Sequence, residues 1–214
     1  MRSKFDEQLA LLNRDLTKMG SLCEEALALA AKALANADGE TAAKIAPIDS
    51  EIDQMERTIE SLCLKLLLQQ QPVARDLRQI SAALKMITDM ERIGDQASDI
   101  AEIIGFLNGR IGSDAQYICQ MAVAAMRMVT ESVEAYVKRD VAMAEATIRH
   151  DDVVDDLFLK VKNSLIQMIS ENPKDGEYAL DLLMIAKYFE RIGDHATNIA
   201  EWVVFSVTGV HEQG

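Results

Sequence analysis

Glycine and proline are scarce in this chain, ten and three among 214 residues. An all-β domain needs turn residues at every reversal, so this scarcity argues against a sandwich or a barrel. Cysteine is scarce too. Cys23, Cys63 and Cys119 are widely spaced, with no CxxC, which leaves neither a zinc finger nor a redox pair. They read as small core residues in a reducing compartment. Positive charge is short: 22 Lys plus Arg stand against 35 Asp plus Glu, a formal charge of −13. A nucleic-acid binder needs the opposite surplus to contact phosphates. No apolar run approaches the ~18 residues of a membrane span. The N-terminus, Met-Arg-Ser-Lys-Phe-Asp-Glu-Gln, lacks the apolar stretch of a signal peptide. These absences lead us to expect a cytoplasmic protein.

What is present is helical periodicity. Hydrophobic residues make up 49% of the chain, enough for a sizeable core. Phe5, Leu9, Leu12, Leu16, Met19, Cys23, Ala26, Ala30 and Ala33 alternate steps of four and three. That 3.5-residue repeat is the seam of a helix packed at a shallow angle in a bundle. Asp38-Gly39 punctuates it, and Ile45, Ile48, Ile52, Met55, Ile59, Leu62 and Leu66 form a second seam. Pro47 falls inside the second pattern, either in the helix's first turn or as a kink in a helix begun near Glu40. Pro72 is placed to start a third helix, which Gly105, Gly109 and Gly112 close. Further helices are expected over 113–138, 140–170 and 177–207, with a loop at Asn172-Pro173-Lys174-Asp175-Gly176. The residues from His211 onward are expected to fray.

Helices of ~30 residues are ~45 Å long, and short loops force neighbours antiparallel. Six such helices cannot share one narrow core. The expected fold is all-α, two tandem three-helix bundles of six long antiparallel helices, divided as 1–110 and 111–214.

An internal repeat supports the division. Residues 91–102 read Glu-Arg-Ile-Gly-Asp-Gln-Ala-Ser-Asp-Ile-Ala-Glu, and residues 190–201 read Glu-Arg-Ile-Gly-Asp-His-Ala-Thr-Asn-Ile-Ala-Glu. Nine of twelve positions are identical, which points to a duplicated unit. Glu91, Asp95 and Asp99 are spaced i, i+4, i+8, and Glu190, Asp194 and Asn198 repeat the spacing. Asp49/Asp53 and Asp151/Asp155 are i, i+4 pairs on the preceding helices. Like charges at that spacing cost a few tenths of a kcal/mol each. Two readings are open: an all-oxygen cation site suited to Mg²⁺, Mn²⁺, Ca²⁺ or oxidised iron, or an acidic face kept in solution by its charge.

Gly94 and Gly193 precede the central Asp of each copy. Mid-helix glycine costs ~1 kcal/mol relative to alanine, so something comes close there: a neighbouring helix, an ion or a partner. Arg92 and Arg191 accompany the stripes, as neutralising charges or as phosphate or partner contacts. A ferritin-like di-iron site needs Glu-x-x-His on facing helices, and no such motif exists. His195 is replaced by Gln96 in the other copy, and surface histidine is the default for His150, His195 and His211. There is no Gly-rich phosphate loop after a strand, and no Ser or Cys is paired with His in a repeated motif. A non-enzyme is expected.

The duplicated Glu-Arg-Ile-Gly-Asp motif, together with Gln-Pro-Val-Ala-Arg-Asp-Leu-Arg at 71–78, resembles the PhoU family over essentially the whole chain. The family comprises accessory and regulatory proteins of the phosphate-specific ABC transport system. The resemblance implies a pair of three-helix bundles. It also implies a negative regulator of phosphate uptake and of the phosphate-starvation response. The implied partners are the transporter's cytoplasmic ATPase and a membrane histidine kinase, bringing the protein to the membrane peripherally, and dimers are implied as well. Some members bind iron or zinc clusters, with manganese or magnesium as further candidates here. The family's Glu/Asp-x-x-x-Asp motifs map onto Glu91/Asp95 and Glu190/Asp194, with Asp49/Asp53 and Asp151/Asp155 as counterparts. Asp99 and Asn198 extend the stripes, and the neutral Asn198 implies two sites that differ in affinity or in metal. The competing readings are a structural helical adaptor without metal and, last, a carboxylate-bridged metalloenzyme.

Overall fold

The computed structural model describes residues 2–70, 73–107, 109–110 and 115–210. Its long helices are α1 (Arg2–Asn36), α3 (Ile45–Gln70), α4 (Ala74–Phe106), α5 (Gln116–Lys138), α6 (Val141–Glu171) and α7 (Gly176–Thr208). A single-turn helix, α2 (Gly39–Ala42), links α1 to α3, and a 3-10 turn (Pro173–Asp175) leads into α7. No strand occurs among the described residues. The expected loop at 172–176 is thus a capped turn, its Asn172 side chain accepting from the Lys174 N–H at 3.3 Å. Pro47 occupies the first turn of α3, where a missing N–H costs nothing. The expected roles of Pro72, Gly112 and His211 lie outside the described residues.

The duplication reaches the turns. Ala37 (φ 48°) ends α1 and Arg139 (φ 57°) ends α5, both left-handed. In each case an aspartate comes next and caps the succeeding helix. Asp38 accepts from the Glu40 and Thr41 N–H groups, and Asp140 from the Met143 N–H.

In the first half α3 and α4 pack on α1, and in the second α6 and α7 pack on α5. The halves meet where α4 lies against α7 and α1 against α5. Phe189, Leu12, Leu16, Ile59 and Met86 are among the fully buried side chains of one connected core that runs through both bundles. The expected seams of α1 and α3 are the faces that enter it.

Candidate metal centre and the interface between the halves

In the first half α3 and α4 bring carboxylates together at the repeated motif. One oxygen from each of Asp49, Asp53 and Asp95 lies within 4.8 Å of the others, the only such trio of potential ligands among the described residues. Gly94 makes the approach possible. A β-carbon there would stand 2.8 Å from Asp49 Oδ1 and 3.0 Å from Ile52 Cδ1. Ser98 Oγ donates to Asp49 Oδ2 at 2.9 Å, while Asp49 Oδ1 is buried without a hydrogen-bond partner. A buried carboxylate oxygen left unpaired is costly, and a cation is the partner its chemistry suits.

The charges confirm the crowding. Burial raises the Asp49 pKa, the Ser98 bond opposes that, and Asp95, Asp53 and Asp99 push it further up. Glu91 is raised by burial and by Asp95. Glu56, one turn from Asp53 and absent from the sequence pattern, is raised by burial and by Glu60 and Asp53. Arg92 pairs with Asp95 at 3.0 Å and with Glu91 at 3.4 Å, neutralising part of the cluster.

The second half is built alike but set differently. A β-carbon on Gly193 would lie 3.1 Å from Asp151 Oδ1, so α6 and α7 repeat the close approach. Thr197, the counterpart of Ser98, leaves its buried hydroxyl unpartnered. Without that bond the Asp151 pKa rises to about 6, through burial and then through Asp194, Asp155 and Glu190. Asp194 is also raised, by burial first and Glu190 next. Lys187, one turn before the motif, forms an ion pair with Glu190.

Asp99 and Asn198 occupy a different place from the rest of their stripes. Eight residues turn a helix by about 80° past two full turns, which swings both toward the α4–α7 contact. Asn198 Nδ2 donates to Asp89 Oδ1 at 3.1 Å, and His195 Nδ1 lies 2.8 Å from the same oxygen. Across the interface Asp99 interacts with Tyr188, whose pKa is raised by burial and by that carboxylate. Asp99 is also near enough to Asp49 to act on it, so it borders both the cluster and the interface. Asp89 and Tyr188 were not legible as functional positions. They precede the motif by two residues and differ between its copies, so a search for repeats passes over them.

The PhoU domain profile matches residues 16–104 and 118–203, one copy in each half. The chain belongs to the PhoU family. Its full length supports this: a phosphate-specific transport system accessory protein PhoU homolog of Clostridium acetobutylicum is 37% identical over 97% of this chain and 96% of its own. The crystal structure of PhoU from Pseudomonas aeruginosa superposes with a TM-score of 0.92 at 33% identity, covering 96% of this chain and 100% of that one. That of the phosphate transport system regulatory protein PhoU from Streptococcus pneumoniae gives 0.88 at 26% identity, over 98% and 99%. The paired bundles are therefore the PhoU architecture. No helix among the described residues is long and apolar enough to cross a membrane.

Proposed function

We propose that this chain is a non-enzymatic accessory regulator of a phosphate-specific transport system, lowering uptake and the starvation response when phosphate is plentiful. Likeness to PhoU proteins over nearly the whole chain carries this reading. The relatives' names give them an accessory or regulatory role in phosphate transport. The partners in this reading are the transporter's ATPase and a membrane histidine kinase, reached from the cytoplasm by a protein that forms dimers.

Metal binding is the second part of the proposal. Asp49, Asp53 and Asp95 would hold the ion, with Glu91 and Glu56 beside them. The unpartnered Asp49 Oδ1 and the Gly94 cradle support it. Oxygen donors favour iron, manganese or magnesium, and zinc also takes carboxylates. A bound cation would offset the mutual repulsion of the carboxylates, and the surface it completes would be what the partners recognise. Asp151, Asp155, Glu190 and Asp194 form the weaker counterpart, because their oxygens do not gather into a trio as those of Asp49, Asp53 and Asp95 do.

Elemental analysis of the purified protein tests the metal. Content should fall sharply in Asp49→Asn and Asp95→Asn, and less in Asp194→Asn. A metal-free wild type that also ignores added iron, zinc and manganese would leave the structural adaptor as the better reading. Capture of the transport ATPase by the wild type tests the regulatory role separately.

A further inference from the structure

The ends of α4, α5 and α7 gather a second group of charges, opposite in sign to the rest of this acidic protein. Arg75 and Arg78 stand in the first two turns of α4, and Arg139 ends α5. The Arg139 Nη1 donates to Gln79 Oε1 at 3.2 Å, and the Gln79 carbonyl accepts from Tyr136 Oη at 3.1 Å. Gln79 in turn donates to Asn13 Oδ1 at 3.3 Å, so Arg139 is held by a chain of neutral polar groups. The Arg78 guanidinium lies along Gly209, 3.6 Å from where a β-carbon would stand, and its Nε is buried with no hydrogen-bond partner among the described residues. Arg139's charge is disfavoured by burial and by both neighbouring arginines, with Asp76 the carboxylate that opposes this. Asp140, the next residue, instead directs its Oδ1 to the Met143 N–H at 3.0 Å.

The left-handed turn itself does not require a guanidinium. Arg139 is left-handed, a conformation that costs an ordinary side chain about 1–2 kcal/mol. Its counterpart Ala37 makes the same turn without a guanidinium. Like charges brought together in excess of their acidic neighbours cost stability, and an anion bound among them would offset that cost. We propose that Arg75, Arg78 and Arg139 form a binding site for an anionic phosphate group, free or esterified. Three guanidiniums against Asp76 and the neighbouring Asp140 leave a net positive charge. That balance suits an oxyanion, and the planar forks match its oxygens. The group is inorganic phosphate or the headgroup of an anionic phospholipid. This site lies apart from the carboxylate cluster and stands whether or not metal binds there.

Two arms of one experiment test the assignment in the full chain. In the first, inorganic phosphate is titrated against chloride at matched ionic strength. We expect the melting temperature to rise by about 3–6 °C once phosphate exceeds its Kd tenfold, and the gain to vanish in Arg75→Gln and Arg139→Asn. Asparagine tolerates the left-handed turn, and unchanged helical circular dichroism confirms that both variants fold. In the second, vesicles with and without phosphatidylglycerol are floated with wild type and variants. Arginine-dependent flotation without a phosphate effect assigns the group to a headgroup. No response in either arm, or a response that both variants retain, overturns the proposal.

Discussion

Asp89 of α4 receives two side chains from α7 on one oxygen, His195 Nδ1 at 2.8 Å and Asn198 Nδ2 at 3.1 Å. Both sides of the Asp89–His195 contact are largely buried, with side-chain exposures of 16% and 18%. Charge-assisted bonds shielded in this way are worth roughly 1.5–3 kcal/mol. We expect Asp89→Ala to destabilise the protein by about that much in urea titrations. A double-mutant cycle with His195→Ala should be strongly non-additive, because either change breaks the same contact. An additive cycle would count against the contact.

The two glycines of the motif should differ in what they tolerate. Alanine would ordinarily stabilise a helix interior by ~1 kcal/mol. At Gly94 the new methyl meets Asp49 Oδ1 at 2.8 Å and buried Ile52 at 3.0 Å, whereas at Gly193 its nearest neighbours are at 3.1 and 3.5 Å. Gly94→Ala should therefore lower the melting temperature, and Gly193→Ala should change it less. Thermal scans of the two variants side by side decide this.

Asp151 gives the second half a pH dependence. Its folded pKa of about 6 lies above the ordinary 3.8, so the folded state holds the proton more tightly than the unfolded chain. The associated stability is present below pH 4 and is lost as pH rises through 6. In chelator-treated protein, Asp151→Asn should raise stability at pH 8 by on the order of 1 kcal/mol, discounted for the site's partial exposure. The difference from wild type should close below pH 4. Denaturation midpoints across that range read the effect directly.

Arg110 joins the two halves at the far end of α4. It bonds Asp175 Oδ1 at 2.6 Å and lies 4.1 Å from the centre of the Tyr178 ring. Its guanidinium is half exposed, so the salt bridge itself is worth ~0–1 kcal/mol. The stacking on Tyr178 adds about 0.5–1 kcal/mol. Arg110→Ala should destabilise by about 1 kcal/mol, and Arg110→Lys should recover only part of that, since an ammonium cannot stack as a guanidinium does. Urea midpoints of the two variants measure the split.

The helices and their ends were legible in the sequence because each is written locally. Alternating steps of three and four residues mark the buried faces of α1 and α3, and Asp38-Gly39 and Pro47 punctuate them. The duplication was legible because Gly94 and Gly193 keep the same neighbours. The single turn of α2 was not, since four residues carry too little pattern to register. Nor was the division of labour within the acidic stripes. Spacing placed Asp99 with Glu91 and Asp95, yet eight residues rotate it off their line and toward α7. Nor was the difference between Ser98, which bonds Asp49, and Thr197, whose buried hydroxyl has no partner, since the exchange looks conservative until the hydroxyl's partner is known.

The pairing of α4 with α7 has a consequence for assembly. In the duplication Tyr188 corresponds to Asp89, and Asn198 to Asp99, so each half carries the complement of the other. Two first halves brought together in the same geometry would set Asp89 against Asp99, carboxylate on carboxylate. Two second halves would set Tyr188 against Asn198, with no charge to hold them. The unlike pairing sets Asp89 opposite the His195 and Asn198 nitrogens and Asp99 opposite the Tyr188 phenol, so at this contact the two copies of the duplicated unit are complementary rather than interchangeable.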